Sequence, residues 1–65
     1  MKKTFYTITK EVDIWDYQEK RFYKGARYWN AQEQRFGDKD LATTYPSRIE
    51  ADIDNKILTG IVVEI

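Results

Sequence analysis

Tyrosine and arginine side chains cluster in the middle of the chain, at Tyr17, Arg21, Tyr23, Tyr28 and Arg35. Both residue types are enriched at the energetic centres of protein interfaces. Both also stack on unpaired nucleic-acid bases. These five residues are the candidate binding surface. A protein partner is the first hypothesis, and a small nucleotide or single-stranded nucleic acid is the alternative.

Catalytic and metal chemistry lack their usual parts. The 65 residues include no His and no Cys, and Ser47 is the single serine, so a nucleophile has no imidazole to activate it. The usual zinc and iron ligand sets are absent as well. Asp52-Ile53-Asp54-Asn55 begins like a calcium loop, but Lys56 takes the next ligand position and Ile57 the place of the required glycine. We predict a protein that is not an enzyme and has no cofactor and no metal.

The composition limits the size of the fold and the class of partner. Residues 1–65 are expected to form a single domain, and a domain this small often needs self-association to complete its core. Eleven basic and eleven acidic residues give zero formal charge, which disfavours nucleic acid. No apolar run reaches the length of a membrane span. A cytoplasmic protein with no membrane partner and with homo-oligomer formation is therefore the expectation.

A repeated pattern positions the candidate residues. Trp15–Phe22 is Trp-Asp-Tyr-Gln-Glu-Lys-Arg-Phe, and Trp29–Phe36 is Trp-Asn-Ala-Gln-Glu-Gln-Arg-Phe, fourteen residues later. Pairing the Trp and Phe of each copy across an antiparallel hairpin leaves a four-residue loop, for which a type I turn is usual. The pairing also sets opposite charges against each other, Asp16 against Arg21 and Asp13 against Lys24. A coiled coil is excluded because the heptads lack a second apolar position. One helical turn inside each loop remains compatible with the pattern.

Gly25-Ala26 links the two copies and predicts a two-residue type II′ turn. With that turn, the four aromatic residues of the repeat form one row across four strands, at Trp15, Phe22, Trp29 and Phe36. Tyr23 and Tyr28 would then lie on the opposite face together with Arg21 and Arg35. We expect the aromatic row to face the helix; the reverse assignment stays open.

The rest of the chain predicts further strands and one helix. A strand over residues 3–9 ends at a bend at Lys10-Glu11, and Leu41–Tyr45 is expected to be a short strand. Ser47 and Glu50 form a capping box, so a helix is predicted near residues 48–58 with Gly60 as its C′ residue. The apolar residues of this helix form a narrow stripe of the kind that packs on a core, at Ile49, Ile53, Ile57 and Leu58. Residues 60–65 predict an interior strand.

These elements predict an α+β fold: a small antiparallel β-meander sheet of five to six strands, with one α-helix near residues 48–58 packed on one face. A motif-like pattern runs through the same part of the chain, at Tyr28-Trp29, Arg35-Phe36-Gly37, Ala42 to Ser47 and Glu50-Ala51. This pattern and the outline of the fold resemble the small proteins of bacteriophages and prophages. The resemblance implies a non-enzymatic protein that docks on a host protein, including a defence protein, and modulates or inhibits it in the host cytoplasm.

Overall fold

The computed structural model describes residues 3–65, which form an α+β fold with one helix on a four-stranded antiparallel sheet. The elements in chain order are β1 (Tyr6–Asp16), β2 (Arg21–Asn30), β3 (Arg35–Gly37), a 3₁₀ helix (Lys39–Leu41), α1 (Arg48–Leu58) and β4 (Ile61–Glu64). The strand order is β3-β2-β1-β4. The predicted fold class is confirmed, although the sheet has four strands and not five to six.

Both hairpins of the repeat have the predicted register. Trp15 pairs with Phe22 across β1 and β2, and Trp29 pairs with Phe36 across β2 and β3. The two loops also end alike, because Lys20 and Gln34 both take positive φ angles, 54° and 53°. The same residue types at the same spacing therefore fold into two matching turns.

The predicted turn at Gly25-Ala26 is wrong, because β2 runs without interruption through both residues. Gly25 pairs with Val12 and Ala26 with Glu11, so the partner strand β1 also continues through the predicted bend. A type II′ turn needs a positive φ at its first central residue, and Gly25 does not have one. The pairing of β1 with β2 continues through these residues, so the chain does not turn there.

The missing turn changes which face each aromatic side chain occupies. Successive side chains of a strand point to opposite faces, and Phe22 and Trp29 lie an odd number of residues apart on one continuous strand. Trp29 and Phe36 pack against the core beneath α1, on what we call the helix face of the sheet. Trp15 and Phe22 lie on the other side, the open face. The prediction of a single aromatic row is therefore wrong.

The core lies between the helix face and α1. Its buried apolar residues are Ile8, Tyr45 and Ala51, and the half-buried residues packed against them are Tyr6, Trp29, Phe36, Leu58 and Val62. The segment predicted as a strand over Leu41–Tyr45 instead begins in the 3₁₀ helix and pairs with the sheet through one bridge, Tyr6 to Tyr45. The pairing of β1 with β2 begins at Thr9, so Tyr6 lies beyond it and is free to pair with Tyr45. This bridge places Tyr45 in the core.

Polar groups fix both ends of α1. The Ser47 hydroxyl accepts a hydrogen bond from the Glu50 amide at 3.3 Å, as the capping box predicts. At the other end, the left-handed residue is Thr59, at φ 55°, and not Gly60. The Asn55 side chain accepts from the Gly60 amide at 2.7 Å and donates to the Gly60 carbonyl at 2.9 Å. Gly60 is needed for another reason: a Cβ there would lie 2.6 Å from the Thr9 carbonyl oxygen.

The last strand and the apolar stripe of the helix differ from their predictions. β4 is an edge strand and not an interior strand, because it pairs with β1 alone at one end of the strand order. The helix packs through Ala51 and Leu58, whereas the stripe of Ile49, Ile53 and Ile57 points to solvent. The small side chain of Ala51 lets the helix approach the sheet closely on that side. Across residues 3–65, no helix has the length and apolar character needed to cross a membrane.

Candidate functional site

The β1–β2 hairpin extends well beyond the helix. The Lys10 ammonium donates to the Leu58 carbonyl at 3.2 Å, which places the end of α1 beside Lys10. The part of the hairpin beyond it, Val12–Gly25, is called the arm here. About five residues of each strand plus a turn give the arm a length of roughly 20 Å. The fold is accordingly elongated, with extents of 45 × 27 × 18 Å.

The turn at the end of the arm is held by Asp16. One carboxylate oxygen of Asp16 accepts hydrogen bonds from the amides of Gln18 and Glu19, at 2.9 and 3.2 Å. The Asp16 carbonyl accepts from the Lys20 amide at 2.7 Å, which closes one helical turn inside the loop. A short polar side chain before a turn commonly supplies such bonds. The turn is therefore fixed locally, without support from the core.

Three aromatic side chains meet at this end of the arm and form what we call the tip cluster: Trp15, Tyr17 and Phe22. The Trp15 and Phe22 rings meet edge to face with their centroids 5.0 Å apart, and the Tyr17 ring stands at 89° to Trp15 at 6.4 Å. Their exposed fractions are 40%, 84% and 65% in sequence order. The cluster is an ordered apolar surface that faces solvent.

The arm carries charged residues of both signs on its two faces. The arm carries three acidic and three basic residues: Asp13, Asp16, Glu19, Lys20, Arg21 and Lys24. Across the open face, the Lys24 ammonium and the Asp13 carboxylate are 2.8 Å apart. The hydrogen bond to Asp13 raises the pKa of Lys24, and the negative charge of Asp13 adds to this effect. The arm is therefore neutral overall.

The structure separates the five residues of the predicted binding surface. Arg21 and Tyr23 lie on the same side of the sheet as Ile14, which is the helix-face side. Tyr28 and Arg35 lie on the open face, and the Arg35 guanidinium is 3.2 Å from the Glu33 carboxylate. Tyr17 belongs to the tip cluster. The expectation that Tyr23, Tyr28 and the two arginines share one face is wrong, because no turn separates the two tyrosines.

A second apolar surface lies on α1. Ile49, Ile53 and Ile57, here called the isoleucine ridge, are 74%, 60% and 86% exposed. Beside the C-terminal end of the ridge is an open cleft of about 470 Å³. Its walls come from the helix and from the β2–β3 loop, and the lining residues are Trp29, Ala31, Gln34, Asp54, Ile57 and Leu58. The ridge and the cleft are continuous through Ile57.

The Tyr45 hydroxyl, whose pKa is strongly raised, has a role in the core. The Tyr45 hydroxyl donates to the Asp54 carboxylate at 2.7 Å. Burial raises the pKa of Tyr45 strongly, and the hydrogen bond and negative charge of Asp54 raise it further. This contact ties α1 to the bridge with β1, a structural role. Among residues 3–65, no group of three acidic side chains lies close enough together to hold a metal ion.

Sequence reasoning missed Trp15 and Phe22 as exposed residues and the isoleucine ridge as a solvent-facing surface. The alternation of side chains along a strand could have revealed the exposure of Trp15 and Phe22. Without the turn at Gly25, Phe22 and Trp29 must lie on opposite faces of the sheet. For the ridge the sequence carries no such signal, because α1 offers a second apolar side at Ala51 and Leu58, and that side packs on the core. Comparisons with protein-family models, curated proteins and solved structures found no match.

Proposed function

We propose that this chain is a non-enzymatic binding protein of the bacteriophage type, which docks its tip cluster on a host protein and modulates or inhibits it, defence proteins included. The observation that carries the proposal is the tip cluster itself. Trp15, Tyr17 and Phe22 are held in fixed geometry at the end of the arm, and all three rings are exposed.

Packing within the chain does not account for the tip cluster. The core is built from residues beneath α1, and it includes neither Trp15 nor Phe22. Exposed aromatic rings that are grouped together mark interaction surfaces more often than scattered apolar residues do. Trp and Tyr are also the residue types most enriched among those that dominate binding energy.

The charges of the arm favour a protein partner. The arm carries three acidic and three basic residues, and on the open face, beside the rings, Lys24 pairs with Asp13. The arm therefore matches an apolar cleft bordered by both signs of charge. A nucleic-acid partner would call for a basic surface. The arm is also ordered before binding, since Asp16 holds the turn and Lys24 pairs with Asp13. Prior order lowers the entropic cost of docking.

The test measures binding to one purified partner. The chain is immobilised, a protein is captured from a bacterial lysate and identified, and its affinity for the free chain is then measured by calorimetry with purified components. Trp15→Ala and Phe22→Ala are each expected to weaken binding by roughly thirtyfold or more, as for central interface aromatics. Ile61→Ala is the matched control, because Ile61 is 66% exposed in β4, away from the arm.

Several outcomes would contradict the proposal. Equal affinity for the wild-type chain and both tip variants would remove the tip cluster from the interface. An equal loss with Ile61→Ala would show a non-specific effect. A parallel titration with single-stranded oligonucleotides tests the alternative function; tip-dependent binding to them, without any protein partner, would replace the proposal. Circular dichroism of each variant confirms that the fold is retained.

A further inference from the structure

We propose that the isoleucine ridge of α1 is the interface through which two copies of this chain form a two-fold symmetric dimer. The proposal concerns a surface separate from the tip cluster and goes beyond the proposed function. Ile49, Ile53 and Ile57 leave most of their side-chain surface in solvent. Together they expose an apolar strip on the order of a few hundred Å², near the upper limit for a monomeric protein.

The spacing of the ridge fits packing against another helix. Residues four apart on a helix are about 6 Å apart along its axis, so the ridge is roughly 12 Å long. Ridges made of residues at i, i+4 and i+8 pack into the matching grooves of a second helix at a crossing angle of about 50°. The ridge of α1 has this form, and an identical helix supplies the matching groove.

The ridge is also self-complementary, as a two-fold interface requires. When two copies run in opposite senses, with the symmetry axis at Ile53, Ile53 lies against its own copy. Ile49 of one copy then lies beside Ile57 of the other. The cleft of about 470 Å³ beside Ile57 offers space for the incoming isoleucine, and Trp29 and Leu58 are among its lining residues. The same arrangement fills both ends of the interface.

The charges next to the ridge are compatible with this arrangement. On a helical projection, Lys56 and Asp52 lie on one flank, so the two-fold axis brings Lys56 of one copy close to Asp52 of the other. The other flank carries Glu50 and Asp54, and the same axis brings the carboxylates of the two copies towards each other. Each carboxylate accepts a hydrogen bond from a hydroxyl of its own chain, and the repulsion between them weakens the dimer. The chain as a whole has zero formal charge, so two copies do not repel each other at long range.

The core of a single copy is small, so burial of further apolar surface against a second copy would stabilise the fold. Among residues 3–65, three apolar residues, Ile8, Tyr45 and Ala51, are buried, and the sequence has no cysteine with which to form a disulfide. Domains of this size commonly gain stability from oligomerisation. Because one helix and a cleft bury less area than a standard interface, the expected dimer is weak, with a dissociation constant in the micromolar range.

The test is sedimentation velocity on the full chain across a concentration series from about 1 to 300 μM, a range that spans micromolar affinity. The wild-type chain is expected to pass from monomer to dimer. Ile53→Glu should raise the dissociation constant at least tenfold, because it places a charge on the symmetry axis. Tyr17→Glu is the matched control: it makes the same charge change at another exposed apolar residue, 84% exposed in the tip cluster, and should leave dimerisation unchanged.

A cross-linking arm locates the interface. The native chain has no cysteine, so Ile53→Cys is expected to form a disulfide-linked dimer under mild oxidation, whereas Tyr17→Cys is not. A wild-type chain that stays monomeric throughout the series would overturn the proposal. A dimer that tolerates Ile53→Glu, or that is lost with Tyr17→Glu alone, would also overturn it. Circular dichroism at low concentration verifies that Ile53→Glu retains its helix.

Discussion

The two copies of the repeat make the same turn but end in different surroundings. Trp29 and Phe36 lie beneath α1, with ring centroids 5.4 Å apart, and belong to the core. Trp15 and Phe22 make a similar ring contact at 5.0 Å, at the exposed end of the arm. The contact between the rings is therefore a local product of the hairpin, whereas burial depends on what the rest of the chain places over that face.

The comparison separates two roles for one pattern. In the second copy, the rings contact α1 and the segment around Tyr45, so their burial stabilises the domain. In the first copy, the same ring pair has solvent around it and is available to a partner. One hairpin pattern thus supplies core packing in the second copy and leaves its ring pair exposed in the first.

The largest expected difference is in stability. Trp29→Ala should lower the free energy of unfolding by about 3–5 kcal/mol, as for a core aromatic residue. The total for a domain of this size is roughly 3–10 kcal/mol. Trp15→Ala should cost about 1 kcal/mol, because it removes ring contacts with Phe22 and Tyr17 at an exposed site and no core packing. Urea unfolding followed by far-ultraviolet circular dichroism measures both changes without relying on tryptophan fluorescence.

Equal losses for the two variants would show that the arm is part of the cooperative core and that the comparison between copies fails. Phe36→Ala and Phe22→Ala repeat the test from the other side of each ring pair. The same ordering is expected, with the larger loss at Phe36, since it packs against the core.

Local parts of the fold were predictable from the sequence, and the parts that depend on distant contacts were not. The register of both hairpins follows from residues within one turn, so Trp15 with Phe22 and Trp29 with Phe36 were predicted correctly. The helix start at Ser47 is local in the same way. Gly25 misled the prediction because a glycine is common both in turns and at close contacts. Here it lies within a strand, beneath the side chain of Ile14.

The predicted binding surface depended on the turn expected at Gly25. With a turn at Gly25, Tyr23 and Tyr28 would share a face; on a continuous strand, their odd separation places them on opposite faces. The outward direction of the isoleucine ridge was not predictable either, because the composition of α1 offers two apolar sides. The side that packs on the sheet is fixed by contacts outside the apolar pattern. They are the hydrogen bonds between the Asn55 side chain and the Gly60 backbone, and the hydrogen bond from Tyr45 to Asp54.

Glycine substitutions sharpen the comparison with a smaller effect. Gly60→Ala lies in the body, by which we mean the described chain outside the arm. It should lower the free energy of unfolding by about 1–3 kcal/mol, because the new methyl group meets the Thr9 carbonyl oxygen at 2.6 Å. Gly25→Ala, in the arm, meets the far end of the Ile14 side chain, which can rotate away. It should be nearly neutral, since alanine is also favoured over glycine inside a strand.

Thermal unfolding measures both variants, and Gly37→Ala is the matched control because no atom lies within 4 Å of its added methyl group. A loss at Gly25 as large as that at Gly60 would mean that the arm is packed as tightly as the body. That result would also weaken the distinction between the two copies of the repeat.

The smallest expected effects appear in alkaline solution, where one group of the body and one of the arm both titrate. The pKa of Tyr45 is raised by burial and by Asp54, and the pKa of Lys24 is raised by its hydrogen bond to Asp13. For both groups, the folded chain keeps a proton that the unfolded chain releases. The stabilisation is therefore fully present below the unfolded pKa values, near 10.0 and 10.5, and it is lost as the pH rises above them.

Tyr45→Phe should flatten the decline in unfolding free energy above pH 10, which for one group is at most about 1.4 kcal/mol per pH unit. Lys24→Gln should flatten this decline less than Tyr45→Phe does. High salt should abolish the effect of Lys24→Gln but not that of Tyr45→Phe, because an exposed ion pair is screened by salt whereas a buried phenol is not. The measurement is urea unfolding at pH 9, 10 and 11, in low and high salt. A Tyr45 effect that disappears in high salt would show that this phenol is solvated like the arm, and the body would then lack the dry core on which the comparison rests.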